Sequence, residues 1–140
     1  MPNYWLVKTE PGEFSFEDLI RDKKTVWDGV RNHQAKKNMM QMALGDLVLV
    51  YHSVTQKALA GLAKVSKTAY PDPNDNPQNN WQVVEIVPVK ALTQPVSLAD
   101  IKATPSLADI ALIKQSRLSV MPLSAEAFNT LLAMGQTQIK

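Results

Sequence analysis

The chain contains no cysteine and only two histidines, His33 and His52. Without thiols there is no disulfide framework, no thiolate nucleophile and no cysteine-ligated zinc, and two imidazoles are too few for a histidine-rich metal cage. Neither a metal nor any other cofactor is expected. Also lacking is an apolar run near the roughly 20 residues that a membrane span requires. The first residues already carry Lys8 and Glu10 where a secretory signal would be apolar. The expectation is a soluble cytoplasmic protein, or a nuclear one if the source is eukaryotic, with no membrane partner.

What is present suits one domain. A chain of 140 residues with 45% hydrophobic content is enough for one compact core and not for two, so residues 1–140 read as a single domain. The formal net charge of +2 hides an uneven distribution. Residues 31–67 hold Arg31, Lys36, Lys37, Lys57, Lys64 and Lys67 against Asp46 alone, while acidic groups predominate in both flanks. A basic middle fits a polyanionic partner, although a solvated lysine face produces the same pattern.

The segments can be placed in order. Tyr4 to Thr9, aromatic and β-branched, reads as a strand closed by Pro11 and Gly12. Ser15 with Asp18 three residues later caps a short helix whose apolar stripe is Phe16, Leu19 and Ile20. Ala35, Met39 and Met42 give a second helix over Gln34 to Ala43, ended by Gly45. Leu47 to Tyr51 and Lys57 to Thr68 read as strands, with Gly61 marking either a bulge or a close approach of another group. Tyr70 to Asn80 is a proline-rich loop, and Trp81 to Leu92 resumes the β pattern. Ser97 and Ser106 open two similar Ser-Leu-Ala-Asp-Ile helix starts, and Ser124 caps a last helix, Ala125 to Met134, burying Phe128, Leu131 and Leu132. The sum is an α+β domain: a strongly bent, mostly antiparallel, sequentially connected sheet or pseudo-barrel with short peripheral helices.

Residues 27–38, WDGVRNHQAKKN, concentrate unlike polar groups. Trp27, in a tight turn, offers a stacking face. Arg31, Asn32, His33, Gln34, Lys36 and Lys37 follow within one turn of a helix start. Indole, amide and guanidinium together suit a planar polar ring beside a phosphate. The alternative for Trp27 is a structural role, the usual fate of a buried tryptophan, and Trp5 reads as core.

With YWLVKTEP at 4–11, this motif, GDLVLVYHS at 45–53, AYPDP at 69–73 and RLSVMPL at 117–123, the chain resembles the EVE domain family along nearly its whole length. The resemblance implies a PUA-like β pseudo-barrel and binding of a modified nucleobase in DNA or RNA, as in the similar YTH domains that read methylated adenine. It also implies roles by position. Trp27 matches a tryptophan of the YTH aromatic cage, and Asn32 a polar contact to the base edge. Lys8 and Thr9 match one strand end at the ligand, and Tyr51, His52 and Ser53 a second. Tyr70 and Trp81 are candidates for a further cage wall. Arg31, Lys36 and Lys37 are placed to hold flanking phosphates. Arg117 to Ser119 either close the pocket or brace the C-terminal segment.

Two rival readings stand beside this one. Glu10, Asp28, His33, His52 and Ser53 supply acid, base and nucleophile types for a small hydrolase or nucleotide-processing enzyme. Neighbours on a strand point to opposite faces, which places His52 and Ser53 poorly for each other, and no nucleophile elbow or phosphate loop is present. A non-catalytic binding module is therefore expected. The third reading is a protein-interaction module.

Overall fold

The strand β1 (Tyr4–Thr9) buries Trp5, Leu6 and Val7 in succession, the pattern of a strand covered on both faces. It appears in a computed structural model that describes residues 3–137 other than 28–31, 55, 77, 79 and 116. Helix α1 (Phe16–Asp22) follows, with a reciprocal capping box between Ser15 and Asp18. The Ser15 backbone N–H holds the Asp18 carboxyl below the usual carboxylate range. Phe16 and Leu19 are buried, but Ile20, expected in the same stripe, is 46% exposed. One residue further round a seven-residue helix, it falls off the narrow face that Phe16 and Leu19 define.

A short strand β2 (Thr25–Trp27) then pairs antiparallel with β5 (Gln82–Ser97), setting Trp27 opposite Val84. Trp27 thus ends a strand, where the sequence suggested a turn. The ladder with Val84 decides this, and no local signal announces it. Helix α2 (His33–Met40) begins one residue earlier and ends three earlier than expected. Gly45 does not terminate it. With φ of +88°, a conformation glycine adopts without steric cost, Gly45 turns the chain into β3 (Leu47–His52).

Strand β4 (Ala58–Pro71) pairs antiparallel with β3 and β5. Both pairings shift register at Gly61, and a Cβ there would overlap the Phe16 ring. Both readings of this glycine hold: it sits in a bulge, and an aromatic ring lies against its backbone.

After β5 come α3 (Leu98–Lys102), a 3-10 turn at Pro105–Leu107, α4 (Ala111–Lys114), β6 (Val120–Leu123) and α5 (Ala125–Met134). Ser97 and Ser124 cap as expected, through Asp100 N at 3.1 Å and Ala127 N at 3.1 Å. Ser106 does not. Pro105 starts the 3-10 turn ahead of it, so Ser106 lies inside that turn, and α4 starts at Ala111 without a side-chain cap.

The six strands run in the order β2-β5-β4-β3-β1-β6, an unclosed and mostly antiparallel sheet with the short helices around it. The α+β expectation stands. The sequential connection does not: β1 pairs parallel with β3 and antiparallel with β6, the last strand. No helix among the described residues is long and apolar enough to cross a membrane.

Candidate functional site

Parallel pairing brings two strand ends together, with Lys8 beside Tyr51 and Thr9 beside His52. The Thr9 carbonyl accepts from Ser53 N at 2.9 Å and from Ser53 Oγ at 3.3 Å. Beyond Thr9 the chain makes a closed turn. The N–H groups of Glu13 and Phe14 both donate to the Glu10 carbonyl at 2.9 Å, and Thr9 Oγ1 donates to the Phe14 carbonyl at 2.7 Å. That turn carries Phe14 to Trp27, whose ring it meets edge-on at 6.2 Å and 84°.

A cleft of about 450 Å³ results, lined by Lys8 and Thr9 of β1, Glu13 and Phe14 of the turn, and Thr25, Val26 and Trp27 of β2. Its volume lies in the range of small-molecule sites, roughly 300–1,000 Å³. Burial pushes the Lys8 ammonium below its ordinary lysine value, because a partly desolvated cation is disfavoured. An anionic or acceptor group in the cleft would offset that desolvation. Aromatic edge and face, two hydroxyls, a carboxylate and an ammonium can together hold a flat ring carrying donors and acceptors.

Three of the expected ligand residues, Lys8, Thr9 and Trp27, meet in this cleft. Trp27 is 8% exposed, so it is a wall and not a free platform. Tyr51 and His52 are buried. Burial raises the Tyr51 phenol, and His52 Nε2 accepts from Phe16 N at 2.9 Å while Nδ1 faces Gln56 Oε1. That places the imidazole proton on Nδ1 and commits the ring to fixing α1. Ser53 is engaged with Thr9, so each of the neighbouring His52 and Ser53 has its own partner.

The remaining expected residues that are described do not line the cleft. Asn32 caps α2, its Oδ1 accepting from Ala35 N at 2.9 Å. With Gln34 it lines a separate recess of about 370 Å³ alongside Lys114, Gln115, Arg117 and Leu118. Arg117 thus borders a recess next to the α2 start. His33 stacks on Trp81 with ring centroids 5.1 Å apart and planes 25° from parallel. Lys36 Nζ lies 5.5 Å from the same indole and donates to Asn80 O at 3.1 Å. Tyr70 carries Lys67 Nζ 4.4 Å from its ring centroid. Neither Tyr70 nor Trp81 lines the cleft. Lys37 is exposed in the last turn of α2, and Arg31 and Asp28 lie outside the described residues.

Sequence reasoning missed Phe14, Glu13, Thr25 and Val26. Phe14 precedes the Ser15 cap, and Leu19 sits four residues past it, the spacing of a hydrophobic staple. Such a signal marks Phe14 as a helix-entry residue and conceals its role as a wall. Thr25 and Val26 were readable as strand formers, but three residues are too few to announce a strand.

Comparison with known proteins bears on this geometry. The EVE domain family model matches residues 3–134. Human thymocyte nuclear protein 1 is 31% identical over an alignment spanning 99% of this chain and 76% of that protein. An NMR structure of a Rhodopseudomonas palustris protein is 43% identical, with a TM-score of 0.90 over 96% of this chain and 93% of that one. The crystal structure of human THYN1 protein in complex with 5-methylcytosine containing DNA is 31% identical, with a TM-score of 0.88 over 97% of this chain and 99% of that one.

Proposed function

The chain belongs to the EVE domain family, and from that premise we propose that it is a non-catalytic module binding a methylated base of the 5-methylcytosine type in DNA or RNA. The observation that carries the proposal is the human THYN1 complex with 5-methylcytosine containing DNA, which shares this fold at a TM-score of 0.88. The cleft supports the same reading. The base enters beside Trp27 and Phe14, and Thr9, Glu13 and the strand-end backbone read its polar edge. Lys8 offers a charge to an acceptor. Asn32 and Gln34 contact the strand from their separate recess, and Arg31, Lys36 and Lys37 hold phosphates. A base paired in a duplex must first be swung out, at a cost of a few kcal/mol. Close aromatic packing then rewards the methyl group, since a gap in its place forfeits dispersion contacts. A cytoplasmic site of action, or a nuclear one as the name of the human relative suggests, completes the proposal.

The test is a fluorescence titration of single- and double-stranded DNA and RNA carrying 5-methylcytosine, N6-methyladenine or no modification, at two salt concentrations. Selective binding is expected, weakened by Trp27→Phe and more by Trp27→Ala, with thermal unfolding run on both because the indole is buried. Replacing Lys36 or Lys37 by alanine should lower the salt dependence of log Kd by about one unit of slope for each phosphate that is no longer neutralised. Equal affinity for modified and unmodified strands would reject the methyl-reading part. Turnover of a nucleoside or ester would reject the non-catalytic part.

A further inference from the structure

His33 and Trp81 are the unusual pair among the ring contacts of the described residues. The other two, Tyr4 with Phe128 and Phe14 with Trp27, each include a buried ring. In the His33–Trp81 stack neither ring is buried: His33 is exposed and Trp81 half-buried. Two near-parallel rings held at the surface bury little apolar area, and the imidazole of His33 is the more exposed of the two.

The segment that carries Trp81 is also held in place. Asn80 adopts φ of +57°, a left-handed conformation that asparagine tolerates better than most residues. Its carbonyl accepts from Lys36 Nζ, its Oδ1 accepts from Gln82 Nε2 at 3.1 Å, and the Trp81 carbonyl accepts from Asp72 N at 2.9 Å. Such a platform is ordered before anything binds, which lowers the entropic cost of using it. Lys36 keeps further N–H donors beside the rings for a phosphate.

Its location ties it to the cleft. Trp27, on the edge strand β2, opposes Val84, and Trp81 lies three residues earlier, about 10 Å along an extended chain and at an odd offset that turns it toward the other face. A nucleic-acid strand passing around the β2 edge would bring the next nucleotide to it.

We propose that the exposed His33–Trp81 stack, flanked by Lys36, is a second nucleobase platform that receives the base adjacent to the one held in the cleft. The proposal rests on the base-binding function above and adds a footprint of at least two nucleotides. A base on this platform stacks without regard to its identity, because every base has a π-face. The platform therefore contributes affinity and strand position, while the cleft contributes selectivity.

The experiment uses the full chain and short single strands carrying one 5-methylcytosine with 2-aminopurine, whose fluorescence falls on stacking, on its 5′ or 3′ side. The free nucleoside 5-methyl-2′-deoxycytidine is titrated in parallel. Quenching is expected on one side only. Trp81→Ala should abolish it and weaken oligonucleotide binding about fivefold or more, Trp81→Phe should restore most of both, and nucleoside affinity should stay unchanged in both variants. Quenching that survives Trp81→Ala, or an equal loss of nucleoside and oligonucleotide binding, overturns the platform. Trp81-dependent quenching without preference for the methylated strand keeps the platform and rejects the methyl-reading function. No binding by the wild type rejects both.

Discussion

The three tryptophans of this chain have three different fates, each set by what lies across space from the indole. Trp5 is 3% exposed, and its Nε1–H donates to Asp46 Oδ2 at 2.9 Å. Trp27 walls the cleft, and Trp81 stacks at the surface. Asp46 is itself 2% exposed, and it also accepts from Asn3 N at 3.0 Å and Ala43 N at 2.9 Å. In the sequence Asp46 is only the lone acid of a basic stretch. In the fold it joins β1, the turn after α2 and the start of β3. Removing it strands a buried indole donor and two backbone donors, so Asp46→Ala should cost about 3 kcal/mol in urea unfolding. Adding Trp5→Phe to Asp46→Ala should cost less than the two separate losses combined, since the stranded donor goes with the indole. Fully additive losses would show that the two side chains are not coupled.

At the scale of elements, local chemistry is legible where one residue can satisfy its own neighbours. Ser15, Ser97 and Ser124 cap helices because each side chain reaches an N–H three residues ahead. Ser106 carries the same signature and fails because Pro105 has already begun a turn. Gly61 is legible as a special position, but its partner is not: Phe16 lies 45 residues away in sequence and reaches it only once α1 packs over the sheet. Gly61→Ala forces the ring or the bulge to move and should destabilise the protein by about 2–3 kcal/mol. Phe16→Leu in the Gly61→Ala background should cost less than Phe16→Leu alone, because it relieves the overlap. An unchanged denaturation midpoint for Gly61→Ala would mean that the ring has free space to yield.

For the whole molecule, the unclosed sheet joins the first strand to the last through β1 and β6, so no terminal segment completes the sheet by itself. We therefore expect residues 1–140 to unfold as one domain: a single calorimetric transition whose van't Hoff and calorimetric enthalpies agree, near 100 kcal/mol at about 0.7 kcal/mol per residue. Two resolved transitions would divide the chain. By itself the sequence determined the composition limits, the α+β class, most strand and helix positions, three of the four expected serine caps and the family motifs. These rest on propensities and side-chain reach over a few residues, and on residue order. Only the tertiary structure decided the parallel β1–β3 pairing, the three-residue strand β2, the part of Phe14 in the cleft and the division of the 27–38 motif. Trp27 went to the cleft, Asn32 to a recess and His33 to the surface stack. Strand pairing between distant segments sets those neighbours, and no periodicity within a dozen residues encodes which strand lies alongside.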